Sequence, residues 1–450
     1  MDEDRLPRCQ ESVRLSTEQL GADHPQTIAA MNNLAVVYRD TGNLDDALTL
    51  YEQTVELAKR VLGPRHPQTL TCMAGLAISW QHKRQLEKAL PLLEETLELS
   101  KEILGLEHPD TLTRMGALAL AFREGGQYDK SVPLAEATLK LMTESQGAEH
   151  LHTLAALSTL AVIYDESGQR DKARPLYEEA LQRTRTVLGP EHPDTLNAVN
   201  NLAIAYQEAR EFEKSLPLFE ELVTLSQRVL GEKHPKTALA MANLGVNYRD
   251  VGRLDEAVTM LERAHGMRVL SGVRTALLET YVAAGEREKT VALVGEFVVA
   301  AREQMQAGSP DLASALTSLG KSLLDVKADA EAEPLFRDSL AIRTRTEPDL
   351  WTTFDTSSLL GAALAGAGQQ VGGDNASAQA KLVEAVPLLV QGYEGMKLRE
   401  RQMPADKKGQ LIEALERLVQ LFEALEKPEE AAKWRDELEA TKIRLADTYK

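Results

Sequence analysis

Six histidines stand 42 residues apart: His24, His66, His108, His150, His192 and His234. Imidazole nitrogens ligate metals and move protons at neutral pH, so a metal ladder is the first chemistry to weigh. The spacing opposes it. Equivalent places in stacked helical units lie two helix layers apart, each about 8–10 Å, whereas zinc–nitrogen bonds are about 2.0–2.1 Å. Each unit offers one histidine only. Pro follows five of the six (Pro25, Pro67, Pro109, Pro193 and Pro235), with Leu151 in the remaining place. Thr27, Thr69, Thr111, Thr153, Thr195 and Thr237 come three residues after each histidine. The expected role is a ring that bonds loop backbone beside Pro and Thr, with no metal and no cofactor.

Other groups that could do chemistry lack support. Cys9 and Cys72 form neither a disulfide framework nor a metal spacing, which fits a reducing compartment. The acidic pairs Glu94–Glu95, Glu178–Glu179 and Glu220–Glu221 recur with the same period and read as solvated outer faces. No Ser/His/Asp or Cys/His group is assembled locally. The chain is expected to have no catalysis of its own.

A repeat of about 20–50 residues indicates stacked supersecondary units. Within one unit, Ile28, Met31, Leu34, Ala35, Val37 and Tyr38 fall on the helical period. Gly42–Asn43 breaks the pattern, as a left-handed helix terminus does. A second periodic run covers Leu44, Ala47, Leu48, Tyr51, Val55, Ala58 and Val61, and Leu62–Gly63 ends it. Each unit is therefore two antiparallel helices, A and B. Leu34, Leu76, Leu118, Leu160, Leu202 and Leu244 are equivalent, and each is followed by a small residue, Ala35 through Gly245. Large rings fill a third place: Tyr38, Trp80, Phe122, Tyr164, Tyr206 and Tyr248. These are expected in the core.

Leu-small-x-x-aromatic on helix A, Gly in the turn and Ala on helix B resemble the tetratricopeptide repeat. The 42-residue step with its Leu-Gly-x-x-His-Pro-x-Thr loop is similar to the kinesin-light-chain form. The resemblance implies an all-α, right-handed superhelical solenoid of about ten helix pairs.

The organisation expected is an orphan B helix of a truncated unit over 1–23, then six 42-residue units over 24–266. Two shorter units follow over 267–346 and two divergent ones over 347–450, with a loop insertion near 366–379 and a capping helix at the end. The orphan helix implies a preceding segment or an improvised cap. Glu347-Pro348-Asp349-Leu350-Trp351, Ser358-Leu359-Leu360-Gly361 and Gly392-Tyr393-Glu394-Gly395-Met396 resemble the repeat tails of bacterial serine/threonine protein kinases. That resemblance implies a regulatory or substrate-docking region, with a kinase domain upstream or in trans. No kinase Gly-rich loop, His-Arg-Asp or Asp-Phe-Gly motif occurs.

In tetratricopeptide proteins the inner face of helix A lines a concave groove, and in the kinesin-light-chain type an Asn there contacts the bound peptide. The matching places here hold Asn33, Asn201 and Asn243, with Asn32 and Asn200 beside two of them. A primary amide both donates and accepts, so it suits a peptide backbone of any sequence. The same amides could instead satisfy a neighbouring unit. Gly75, Ala117 and Thr159 break the ladder. A turn further on lie Arg39–Asp40, Arg123–Glu124, Asp165–Glu166, Gln207–Glu208 and Arg249–Asp250. From these, Arg39, Arg123, Gln207 and Arg249 join the candidate groove. Its acidic excess disfavours acidic peptides, most of all near Asp165–Glu166. Lys and Arg are absent from Asn32, Ala74, Gly116, Ser158, Asn200 and Ala242, the places that would grip a chaperone C-terminal carboxylate.

Composition agrees. Lys plus Arg number 51 and Asp plus Glu 69, a formal net charge of −18. That sign disfavours nucleic acid and anionic membranes and favours a neutral to basic protein or peptide partner. No segment approaches the ~20 apolar residues of a membrane span, and the N-terminus lacks a signal-peptide pattern. A cytoplasmic scaffold or adaptor is the expectation.

Two local features remain. Arg84 and Arg210 replace the turn glycine, which costs roughly 1 kcal/mol each if the left-handed backbone is kept. Pro7, Pro91, Pro133, Pro175 and Pro217 sit about one turn into the B helices, where they either delay the helix or bend it.

Overall fold

The computed structural model describes residues 5–267, 272–370 and 376–448. All regular structure among them is helical, and it divides into two bodies, Met1–Val229 and Leu230–Lys450.

The first body opens with α1 (Arg5–Leu20), followed by five pairs. These are α2 (Pro25–Asp40) with α3 (Leu44–Val61), α4 (Pro67–His82) with α5 (Leu86–Leu104), and α6 (Pro109–Glu124) with α7 (Tyr128–Gln146). Then come α8 (Leu151–Glu166) with α9 (Arg170–Leu188) and α10 (Pro193–Glu208) with α11 (Phe212–Leu230). The second body holds α12 (Pro235–Asp250) with α13 (Leu254–Gly266), α14 (Gly272–Ala283) with α15 (Arg287–Gln304), and α16 (Pro310–Asp325) with α17 (Asp329–Thr346). It ends with α18 (Trp351–Gln370) and α19 (Ala376–Leu398), then α20 (Gly409–Ala424) and α21 (Pro428–Thr448).

The histidine motif starts each A helix of the 42-residue block. His Nδ1 accepts the backbone N–H two residues on, at 3.1–3.3 Å in all six units. This is N-capping, which satisfies a donor that the helix leaves open. The proline after it fills the first helical position, where its missing N–H costs nothing. The threonine is buried, and it donates back to the loop: Thr69 to Gly63 O at 2.8 Å, Thr195 to Gly189 O at 2.7 Å. Ser309 caps α16 in place of histidine, accepting from Leu312 N at 3.2 Å.

The A–B turns carry paired closing bonds, such as Gln169 N to Tyr164 O at 2.8 Å and Gly168 N to Asp165 O at 2.9 Å. This geometry needs a left-handed residue. Arg84 and Arg210 keep it, at φ 57° and 58°. The prolines do not delay their helices. α5 begins at Leu86 and α9 at Arg170, each five residues ahead of its proline. The 366–379 stretch is not one long loop either. α18 runs through Gln370 and α19 starts at Ala376, while 371–375 lie outside the described residues.

The core is built as the period implies. Ala35, Ala77, Ala119, Ala161 and Ala203 are fully buried, as are Ala47, Ala89 and Ala257 on the B helices. The glutamate pairs are more than a solvated face. The Tyr206 hydroxyl donates to Glu178 at 2.7 Å, Tyr164 bonds Glu136, and Arg185 pairs with Glu221 at 2.6 Å. These contacts join successive units. The Tyr164 and Tyr206 rings also carry a cation from the B helix that follows, with Lys172 Nζ 5.0 Å from the Tyr164 centroid and Lys214 Nζ 5.0 Å from that of Tyr206.

α1 has no buried residue, and Leu15 and Leu20 are exposed. No helix among the described residues is long and apolar enough to cross a membrane.

Candidate functional site

Two successive A helices, α6 and α8, share a pocketed face. There Thr113, Gly116, Ala117 and Leu120 of α6 oppose His152, Ala155, Ala156 and Thr159 of α8, across a pocket of about 250 Å³. Ala135, Thr138 and Met142 of α7 form its floor. Ala117 and Thr159, which line it, stand at the places that hold asparagine in other units.

Within the first body, Asn33 is exposed and Asn32 and Asn201 are half-buried. The Oδ1 of Asn32 is buried without a hydrogen-bond partner. Asn200, Gln207 and, in the second body, Asn243 already interact with other groups of the chain. The gap at Gly75 has a steric cause. The Tyr51 ring, fully buried, lies where a Cβ on Gly75 would stand. Burial pushes the Tyr51 hydroxyl up to about 12.

The predicted arginines are paired. Arg39 Nη2 lies 3.0 Å from Asp40 Oδ1. Arg123 Nε is 3.6 Å from Glu166 on the next A helix, and Arg249 Nη1 is 2.6 Å from Glu279 on α14. Arg170 of α9 answers both Asp165, at 3.7 Å, and Glu208, at 2.9 Å. Arg39, Arg123 and Arg249 are 17–22% exposed, whereas Asp40, Glu166 and Glu279 are 39–58% exposed.

Two features carried no signal in the sequence. Arg114 is 5% exposed and fills the place between α4 and α6 that Ala156 leaves open between α6 and α8. Its Nη2 donates to Thr71 Oγ1 at 3.2 Å, while Nε and Nη1 have no hydrogen-bond partner. In the second body, Lys321, Asp325, Asp329, Gln370, Glu413 and Arg417 line a recess of about 820 Å³ between α16, α18 and α20. Lys321 pairs with buried Asp355 at 3.1 Å and Arg417 with Glu413 at 2.9 Å. Burial raises the Asp329 carboxyl above its ordinary range, and Gln370 donates to it at 2.6 Å. These units diverge from the 42-residue pattern, so no period pointed to the cluster. Among the described residues, no group of three or more His, Cys, Asp or Glu side chains could hold a metal.

Two family models for the tetratricopeptide repeat match the chain, one over residues 80–144, 124–186, 153–221 and 194–268, the other over 27–68 and 312–348. Together they span more than half of it. The chain is a tetratricopeptide repeat protein. It is similar to a Podosopora anserina protein described as a kinesin light chain with nearly identical TPR-like repeats, at 28% identity and a TM-score of 0.41, over 46% of this chain and 98% of that one. It is also similar to BtubC (BKLC) of P. vanneervenii, at 23% identity and a TM-score of 0.44, over 50% and 91% of the two chains. The apo quorum sensor NprR of B. thuringiensis shares the fold, with 13% identity and a TM-score of 0.50 over 76% of this chain and 98% of that one. No curated protein matches in sequence. The matched repeats end at residue 348, so the likeness of the region beyond it to kinase tails rests on its quoted residues alone.

Proposed function

We propose that this tetratricopeptide repeat protein is a non-catalytic scaffold that binds an extended segment of a partner protein along the inner face of its A helices. The observation that carries the reading is the pocket between α6 and α8, lined on its A-helix sides by Gly116, Ala117, Ala155, Ala156 and Thr159. Small residues at Gly116, Ala117, Ala155 and Ala156 let a partner's backbone approach. The amides of Asn32, Asn33 and Asn201 stand at the equivalent places of other units and can donate and accept along a bound backbone. The acidic excess at Glu124, Asp165 and Glu166 favours a neutral to basic partner.

The test begins with a partner identified by pull-down and mass spectrometry. Its affinity is then measured for Asn33→Ala with Asn201→Ala. The reading expects binding at least tenfold weaker with unchanged circular dichroism. Undiminished affinity would remove the amides from the binding surface.

A further inference from the structure

The pocket between α6 and α8 exists because of one departure from the repeat. Ala135 occupies the place held by Tyr51, Leu93, Tyr177 and Phe219 in the other units of the first body. Each of those large side chains is buried at 5% exposure or less and fills its unit from below. Ala135 cannot. The space one unit earlier is plugged by the Arg114 side chain, and here the matching residue is Ala156. The result is a pocket of about 250 Å³ with a mainly apolar lining. A cavity of roughly 150 Å³ with such walls stays dry and holds a benzene ring, so this one takes a single large side chain.

The C-terminal ends of the two A helices that flank it are acidic. The C-terminal ends of α6 and α8 carry Glu124, Asp165 and Glu166, and Arg123 is the one cation those ends contribute. Arg170 of α9 offsets part of the excess but is shared with Glu208. Helix C-termini add partial negative charge.

We propose that this pocket is the specificity pocket of the scaffold, taking one Leu, Met, Phe or Trp side chain of an extended partner segment, with a Lys or Arg within two residues of it, toward Glu124 and Glu166. The proposal rests on the groove reading above. The test pans a phage library of random nonapeptides on the full chain. A synthetic consensus peptide is then titrated against wild type, Ala135→Leu, which copies Leu93 of the preceding unit, and Ala156→Arg, which copies Arg114. Melting temperature and circular dichroism verify that each variant folds. The expected result is a consensus with one large apolar and one basic residue, bound at least tenfold more weakly by either folded variant. A consensus without an apolar anchor, or equal binding by a folded variant, overturns the pocket while leaving the groove reading standing. No selected peptide at all would overturn both.

Discussion

The Tyr206 hydroxyl donates to Glu178 Oε1 at 2.7 Å, across 28 residues and between two successive repeats. Tyr164 and Glu136 repeat the relationship one unit earlier, and Tyr281 with Glu262 at 2.9 Å is its counterpart in the second body. The bond turns the outer glutamate into an inter-repeat tie. Tyr206→Phe should therefore cost about 1–2 kcal/mol, because it deletes a hydrogen bond to a charged acceptor. Phe122 is the natural deletion. It lacks the hydroxyl, and Glu94 lines the same recess beside it. Phe122→Tyr should gain about 0.5–1.5 kcal/mol in urea unfolding, and a loss would show that Glu94 cannot reach the new group.

The same tyrosines set a pH limit. Burial first, then the adjacent glutamate, pushes Tyr164 and Tyr206 up to about 12, and burial does so for Tyr51. A native pKa above the unfolded value of about 10 means the native state holds the proton more tightly. Their contribution is fully present below about pH 10 and is lost between about pH 10 and 12. Urea midpoints should be flat from these groups up to about pH 10 and fall beyond it. Spectrophotometric titration should show a late-ionising fraction of the tyrosines.

Arg84 and Arg210 hold left-handed backbone that glycine adopts without strain. Arg84→Gly and Arg210→Gly should each stabilise by about 1 kcal/mol, read as a higher melting temperature. The sites are far apart in sequence, so the double variant should be near additive.

The histidines predict a cap phenotype and no metal phenotype. His192→Ala should cost about 1 kcal/mol and His192→Asn much less, since an amide oxygen can accept the Asp194 N–H in place of Nδ1. Zinc or a chelator should leave the melting temperature of the wild type unchanged.

Much of this was legible in the residues. Strict repetition placed every A and B helix of the 42-residue block, because each unit solves the same packing problem. The histidines read as rings that bond backbone at the loop, and they do so as caps of the A helices. The features that the period does not reveal depend on departures from the repeat. Ala135 reads as another small core residue until its neighbours show that a large ring belongs there. Arg114 looks like a surface charge on an A helix, yet its side chain is buried in a gap between two of them. The 366–379 stretch, rich in Gly, Ala and Gln, suggests a loop by composition. Burial of Leu359, Leu360, Ala363 and Leu364 instead anchors a helix that carries on to Gln370.

The central claim is that the partner lies on the A-helix face. A photo-crosslinking benzoylphenylalanine placed singly at Thr159, Asn201, Glu94 or Glu136 of the full chain tests it most directly, with the peptide selected by panning as probe. The account predicts crosslinks from Thr159 or Asn201 and none from the two glutamates. Crosslinks from Glu94 or Glu136 alone would place the partner on the opposite face and contradict it.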